Sequence, residues 1–184
     1  NPEGKEVYTH FGEGAYDVMD NNERSLLGIA GNEEPKAKEH VSYSKEETPE
    51  TYLGYERGER NVNDSNENFV FPQEIPKHTW ALQGPWKVEG QFIESRNAGD
   101  SLKINFVAKK VFLVMSSASG KEITARILVN GKQQGLGSDV KNGVVKVTNS
   151  ELYEIVNLSQ GEGGVVEIKS DAAGLRAYAF TFGW

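Results

Sequence analysis

Between positions 78 and 115 the chain reads HTWALQGPWKVEGQFIESRNAGDSLKINFVAKKVFLVM, with apolar residues on alternate positions at Trp80 and Leu82, at Trp86 and Val88, and at Leu102, Ile104 and Phe106. Successive side chains of a strand point to opposite faces, so this period predicts strands with one face buried. The run Val111 to Met115 is apolar throughout, which predicts a strand covered on both sides. Similar signals recur about every ten residues from Glu74 onward, separated by Gly, Asn and Asp. They predict strands near 79–82, 86–88, 91–95, 101–107, 110–116, 123–129, 143–148, 153–158, 164–169 and 175–182. Asn130-Gly131 predicts a two-residue type I′ hairpin turn, because both residues tolerate positive φ. The glycine-rich run 161–164 reads as a hairpin tip. In the closing AYAFTFGW, alternation places Tyr178, Phe180 and Phe182 on one face as a core row, and the loss of that strand is expected to unfold the domain. Many short strands at this spacing define a mainly β protein, a jelly-roll-like antiparallel β-sandwich over 50–184.

The chain before that region follows a different pattern. Residues 5–10 predict a short strand, and 15–27 place Tyr16, Met19, Glu23, Leu26 and Leu27 near helical spacing, with Gly28 as a C-terminal cap. One strand and one helix cannot form a core alone, so residues 1–28 are expected to dock on something else. The opening Asn-Pro-Glu-Gly, without a methionine, points to further chain upstream. Residues 29–49 are polar, charged and interrupted by proline, the composition of a linker.

Charge and chemistry narrow the function. A net charge of -7 argues against nucleic acid or an anionic membrane surface as partner, since both select clustered Lys and Arg. No apolar run approaches membrane-spanning length, so no membrane segment is expected in this chain. Cysteine is absent, which excludes a disulfide, a thiolate metal site and a Cys nucleophile within these residues. His10, His40 and His78 are far apart and belong to no spaced metal motif. The polar run 61–68, with Asp64, lacks calcium-loop spacing and reads as a turn. A phosphate-binding loop and a Gly-x-Ser-x-Gly elbow are both missing, and no carboxylate pair stands out among the many Asp and Glu. No catalytic residue, metal or cofactor is therefore expected.

One segment carries candidate binding chemistry. TYLGYERGERN, 51–61, sets Tyr52 and Tyr55 beside Arg57 and Arg60. Aromatic rings stack on the C–H faces of sugars while guanidinium groups hydrogen-bond their hydroxyls, so these four are the first candidate ligand-binding residues. The competing reading has the tyrosines pinning the linker to the sandwich and the arginines pairing with Glu56 and Glu59. Trp80 and Trp86 are second candidates, because their alternation suits the core equally well.

The opening PEGKEVYTHFGEGAYDVMD resembles the end of a thioredoxin-like domain of the TlpA type, its last strand and final helix. Behind it, TPETYLGYERGER, the Trp80-Ala81-Leu82-x-Gly84-x-Trp86 string, AKKVFLVM, the Val129-Asn130-Gly131-Lys132 turn and AYAFTFG together resemble the C-terminal region of DipZ-type proteins. Such proteins combine a CcdA-like membrane domain, an extracytoplasmic thioredoxin-like domain and a carbohydrate-binding-module-like β-sandwich. The resemblance implies 1–28 as a thioredoxin-like remnant, 29–49 as linker and 50–184 as the sandwich. It further implies an extracytoplasmic location, in the periplasm or cell envelope, and an upstream thioredoxin-like domain as partner. The family's Cys-x-x-Cys pair has no counterpart here, so the chain is expected not to be catalytic alone. Its expected role is a non-catalytic module binding a glycan or another cell-envelope ligand. The alternative is a docking domain for the thioredoxin-like part or a partner protein, without sugar binding.

Overall fold

The alternation seen from Leu102 to Phe106 becomes a strand because its three apolar side chains meet a second apolar layer. The computed structural model describes residues 47–63, 68–159 and 162–184. Among these, the strands in order are β1 (Thr51–Tyr52), β2 (Trp80–Gln83), β3 (Lys87–Val88), β4 (Ile93–Glu94), β5 (Ser101–Phe106) and β6 (Lys110–Ser117), followed by β7 (Ile123–Val129), β8 (Val140–Lys141), β9 (Val144–Val147), β10 (Glu151–Asn157), β11 (Gly164–Ser170) and β12 (Leu175–Gly183). They form two six-stranded sheets. One has the order β10-β6-β12-β4-β3 with β1 also on β12, and the other the order β2-β5-β11-β7-β9-β8. All strand pairings are antiparallel. The described residues are a mainly β sandwich, and from β4 to β7 and again from β9 to β12 the chain steps between sheets at each connection, the habit of jelly rolls.

The core lies between the sheets. Leu102, Ile104 and Phe106 of β5, with Ile127, Val166 and Ile168, face Val111, Leu113, Met115, Ile155 and Phe180 from the other sheet, all buried. Fully burying each such side chain contributes roughly 1.5–3 kcal/mol, so this layer dominates stability. All ten predicted strands are present, with ends shifted by one or two residues. β1 and β8, two residues each, are not among the predicted strands.

Four local expectations change. Val111 to Met115 is buried on one face only, since Phe112 and Val114 are half-exposed. The aromatic row of β12 is broken, because a register shift between Ala177 and Ala179 inserts Tyr178 as an extra residue against β6. Phe180 and Phe182 stack with centroids 6.3 Å apart, and Phe182 stacks on Phe106 at 6.4 Å. Tyr178 turns away to meet the Ser116 hydroxyl at 2.9 Å and the Phe92 ring at 5.4 Å.

The glycine-rich run is not the tip of a hairpin, because the strands on either side of it, β10 and β11, lie in different sheets. Asn130 and Gly131 do adopt positive φ, 50° and 75°, and Val129 and Lys132 exchange both hydrogen bonds. The second arm stops at that single bridge, because Asn130 bonds instead across to Val165 through its backbone N–H and its Oδ1. The same dipeptide at Asn142-Gly143, φ 52° and 78°, turns β8 into β9. The predicted strand and helix of 1–28 and most of 29–49 lie outside the described residues, as do His10, His40 and Asp64.

Candidate functional site

The segment after β1 leaves one sheet and reaches the other within ten residues, and its backbone is held at both ends. Thr51 and Tyr52 pair with Phe180 and Ala179 of β12, and the Leu53 N–H donates to the Tyr178 carbonyl. Leu53 is buried, and at Gly54 the chain turns, its carbonyl accepting the Gly58 N–H at 2.6 Å. The Tyr55 and Glu56 N–H groups donate to the carbonyls of Glu89 and Gly90, which close the turn between β3 and β4. A Cβ at Gly54 would land on the Gly90 carbonyl oxygen and the Gln91 backbone, so only glycine permits this approach.

The far end is anchored by Trp80. Its indole N–H donates to the Glu59 carbonyl at 2.6 Å and its backbone N–H to the Arg60 carbonyl at 3.0 Å. Successive carbonyls of an extended chain point in opposite directions, and Arg60 reverses that with φ 63°. A non-glycine residue in this region costs on the order of 1 kcal/mol, a strain that clusters at functional positions. The chain then joins the second sheet through an Asn61 to Trp80 bridge.

Held in this way, the segment borders an open surface cavity of about 360 Å³ lined by Glu50, Thr51, Tyr52, Arg57, Glu59 and Arg60. The Arg57 guanidinium lies over the Tyr52 ring, 3.5 Å from its centroid. The Tyr52 hydroxyl is held by Glu50: this hydrogen bond, then burial and the carboxylate's charge, push the phenol above its ordinary range, while Arg57 pulls it down. Nη1 of Arg60 is enclosed with no hydrogen-bond partner. Among the described residues no ion pair joins either arginine to Glu56 or Glu59. The lining therefore combines two cationic donors, two carboxylate acceptors and one aromatic ring, able to bond a polar ligand from several sides.

Three of the four first candidates, Tyr52, Arg57 and Arg60, meet in this cavity. Tyr55 stands apart on the turn, 68% exposed and not in the lining. Trp80 and Trp86 are corrected as ligand platforms. They are 2% and 3% exposed, and their indole N–H groups are spent on the carbonyls of Glu59 and Gln83, so neither offers a ring face. Trp80 acts at one remove, by positioning Glu59 and Arg60. Glu50 and Glu59 are the residues that sequence reasoning missed as lining groups. They are nine positions apart in a chain rich in carboxylates, and no spacing signals their convergence. Nothing among the described residues gathers three or more His, Asp or Glu side chains fit to hold a metal ion. No helix among them is long and apolar enough to cross a membrane.

Comparison with known proteins locates the chain. Residues 48–183 match the family model described as thioredoxin like C-terminal domain. Protein DipZ of Mycobacterium bovis and Protein DipZ of Mycobacterium tuberculosis are each 24% identical to it over an alignment covering 94% of this chain and 25% of theirs. The chain thus spans about a quarter of the length of these relatives. Among solved structures, an active-site mutant of a family two carbohydrate esterase from Clostridium thermocellum aligns with a TM-score of 0.46 at 15% identity, covering 56% of this chain and 31% of that one. A family two carbohydrate esterase from Cellvibrio japonicus gives 0.39 at 8% identity, covering 73% and 30%. Likenesses this distant carry no argument about ligand.

Proposed function

The chain belongs to the thioredoxin like C-terminal domain family, and from that premise we propose that its sandwich is a non-catalytic module that binds a carbohydrate-like ligand. The observation carrying this reading is the cavity at Tyr52, Arg57 and Arg60, where donors and acceptors converge around an aromatic ring. Sugars present hydroxyl groups that both donate and accept, and a lining with guanidinium and carboxylate groups matches them. In a DipZ-like parent the module is the C-terminal, extracytoplasmic part of a thiol-disulfide oxidoreductase, and ligand binding holds the thioredoxin-like domain near targets in the cell envelope.

Calorimetric titration against a panel of cell-envelope and plant glycans tests the proposal. At least one glycan is expected to bind, and Arg57→Ala is expected to weaken it tenfold or more, about 1.4 kcal/mol. A panel without a single binder removes the reading.

A second reading rests on Tyr55, an exposed aromatic beside the cavity but outside it. Such residues anchor protein contacts, and a docking role for the domain uses this turn. Tyr55→Ala then weakens association with a thioredoxin-like partner while leaving glycan titrations unchanged.

A further inference from the structure

Asn-Gly occurs twice as an exposed two-residue turn, Asn130-Gly131 and Asn142-Gly143, with nearly equal backbone angles. As dipeptides the two are equally reactive, because glycine has no side chain to shield its nitrogen from the preceding carboxamide. Their surroundings differ. The Asn130 carboxamide is held, its Oδ1 accepting the Val165 N–H at 2.9 Å, while the Asn130 N–H donates to the Val165 carbonyl at 2.8 Å. A Cβ at Gly164 would land on both polar atoms of that carboxamide, so the backbone there lies close against it. Among the described residues no hydrogen bond engages the Asn142 side chain, and only the end of the Gln133 side chain lies against Gly143. The Gly143 carbonyl accepts the Ile127 N–H at 2.9 Å, whereas its own N–H donates to no protein group. Beside this turn, β8 is two residues long, lies at the sheet edge and pairs with β9 alone, so it opens locally at little cost.

We propose that Asn142 is a site of spontaneous modification, converted through a cyclic imide to isoaspartate and aspartate, and that the fold protects Asn130 from the same reaction. The Gly143 nitrogen gives up its proton and bonds to Cγ of Asn142. The bond from Cγ to the carboxamide nitrogen breaks, and that nitrogen takes the proton and leaves as ammonia. Water then opens the imide. Cleavage at the main-chain carbonyl gives isoaspartate, cleavage at Cγ gives aspartate, and nothing is oxidised or reduced. Either product places a new negative charge on the turn. Isoaspartate also lengthens the main chain by one carbon, which spoils the fit of a two-residue turn to the twist of its strands and loosens β8 from β9. At Asn130 the carboxamide must first leave the Val165 N–H, in a turn fixed between the paired strands β7 and β11.

Incubation of the full chain in mildly alkaline buffer, followed over time by peptide mapping with mass spectrometry, tests this. Alkaline conditions favour the reaction because the deprotonated glycine nitrogen attacks. In the folded protein, product at Asn142 is expected to form at least about tenfold faster than at Asn130, the difference that local opening at one turn and anchoring at the other supports. The same chain in denaturant supplies the control. There both turns are lost, and the two asparagines are expected to react at similar rates. Equal rates in the folded protein, or faster loss at Asn130, overturn the proposal. So does a preference for Asn142 that persists unchanged in denaturant, since flanking residues and not the fold would then set it. An Asn142 that stays intact in the folded protein while reacting in denaturant overturns it as well.

Discussion

Strand β5 and the segment from Glu50 to Arg60 both converge on Trp80, one by pairing Ile104 with it across the sheet, the other by giving it two carbonyl oxygens. In β5 every second residue is apolar and fully buried, and strands lie on both sides. Its position follows from area removed from water, a force that is large, additive and indifferent to exact geometry. The segment has one large buried side chain, Leu53, and its remaining anchors are single hydrogen bonds and one glycine contact. Each of those contributes about 1 kcal/mol and acts only at the right distance and angle. The difference teaches that in this domain the sandwich supplies rigidity, whereas the cavity is a directional construction laid over it.

Removing β12 is the most severe way to break this contrast. It lies inside its sheet, pairing with β6, β4 and β1, so a chain ending before Leu175 loses both core and cavity. Near-ultraviolet circular dichroism and thermal melting are expected to show no cooperative transition. A truncated chain that still melts cooperatively would refute the central place given to that strand.

Gly54→Val comes next. The new side chain meets the backbone at Gly90 and Gln91, and relieving it costs about 1–3 kcal/mol. The turn should part from the β3–β4 connection, so faster exchange of the Tyr55 and Glu56 amides is expected while those of β5 stay protected.

Trp80→Phe separates the two roles of one residue. Core burial largely remains, but the bond to the Glu59 carbonyl is lost, at about 1 kcal/mol plus a small cavity term. Ligand affinity should fall by more than the change in stability suggests, since Glu59 loses its positioning while the backbone bond to Arg60 remains. Equal losses in both would show that Trp80 serves the core alone.

The smallest effect is electrostatic. The Tyr52 phenol, raised above the ordinary 10.0, favours its neutral form in the folded state. The stability it contributes is therefore complete below the ordinary phenol value and disappears as pH rises through the raised one. Glu50→Gln removes the carboxylate's charge and weakens its hydrogen bond, leaving the downward pull of Arg57. Ultraviolet titration of phenolate should then show Tyr52 ionising at lower pH, and an unmoved titration would break the Tyr52–Glu50 contact.

The amino-acid order by itself determined the layered architecture. Alternation at Leu102, Ile104 and Phe106, and again at Ile123, Ala125 and Ile127, states which face is buried whatever the partner strand is. It also marked Tyr52, Arg57 and Arg60 as chemistry worth joining, through the crowding of aromatic and guanidinium groups in one glycine-punctuated stretch. Only the tertiary structure decided that those three share a cavity, that Glu50 and Glu59 complete it, and that Trp80 holds it from beneath. Likewise the extra residue at Tyr178 overrode a clean aromatic alternation, because its position is set by the fit of β12 against β6. Hydrophobic burial has a period that one chain can display, whereas hydrogen bonds, bulges and charge convergence depend on distances between segments far apart in sequence.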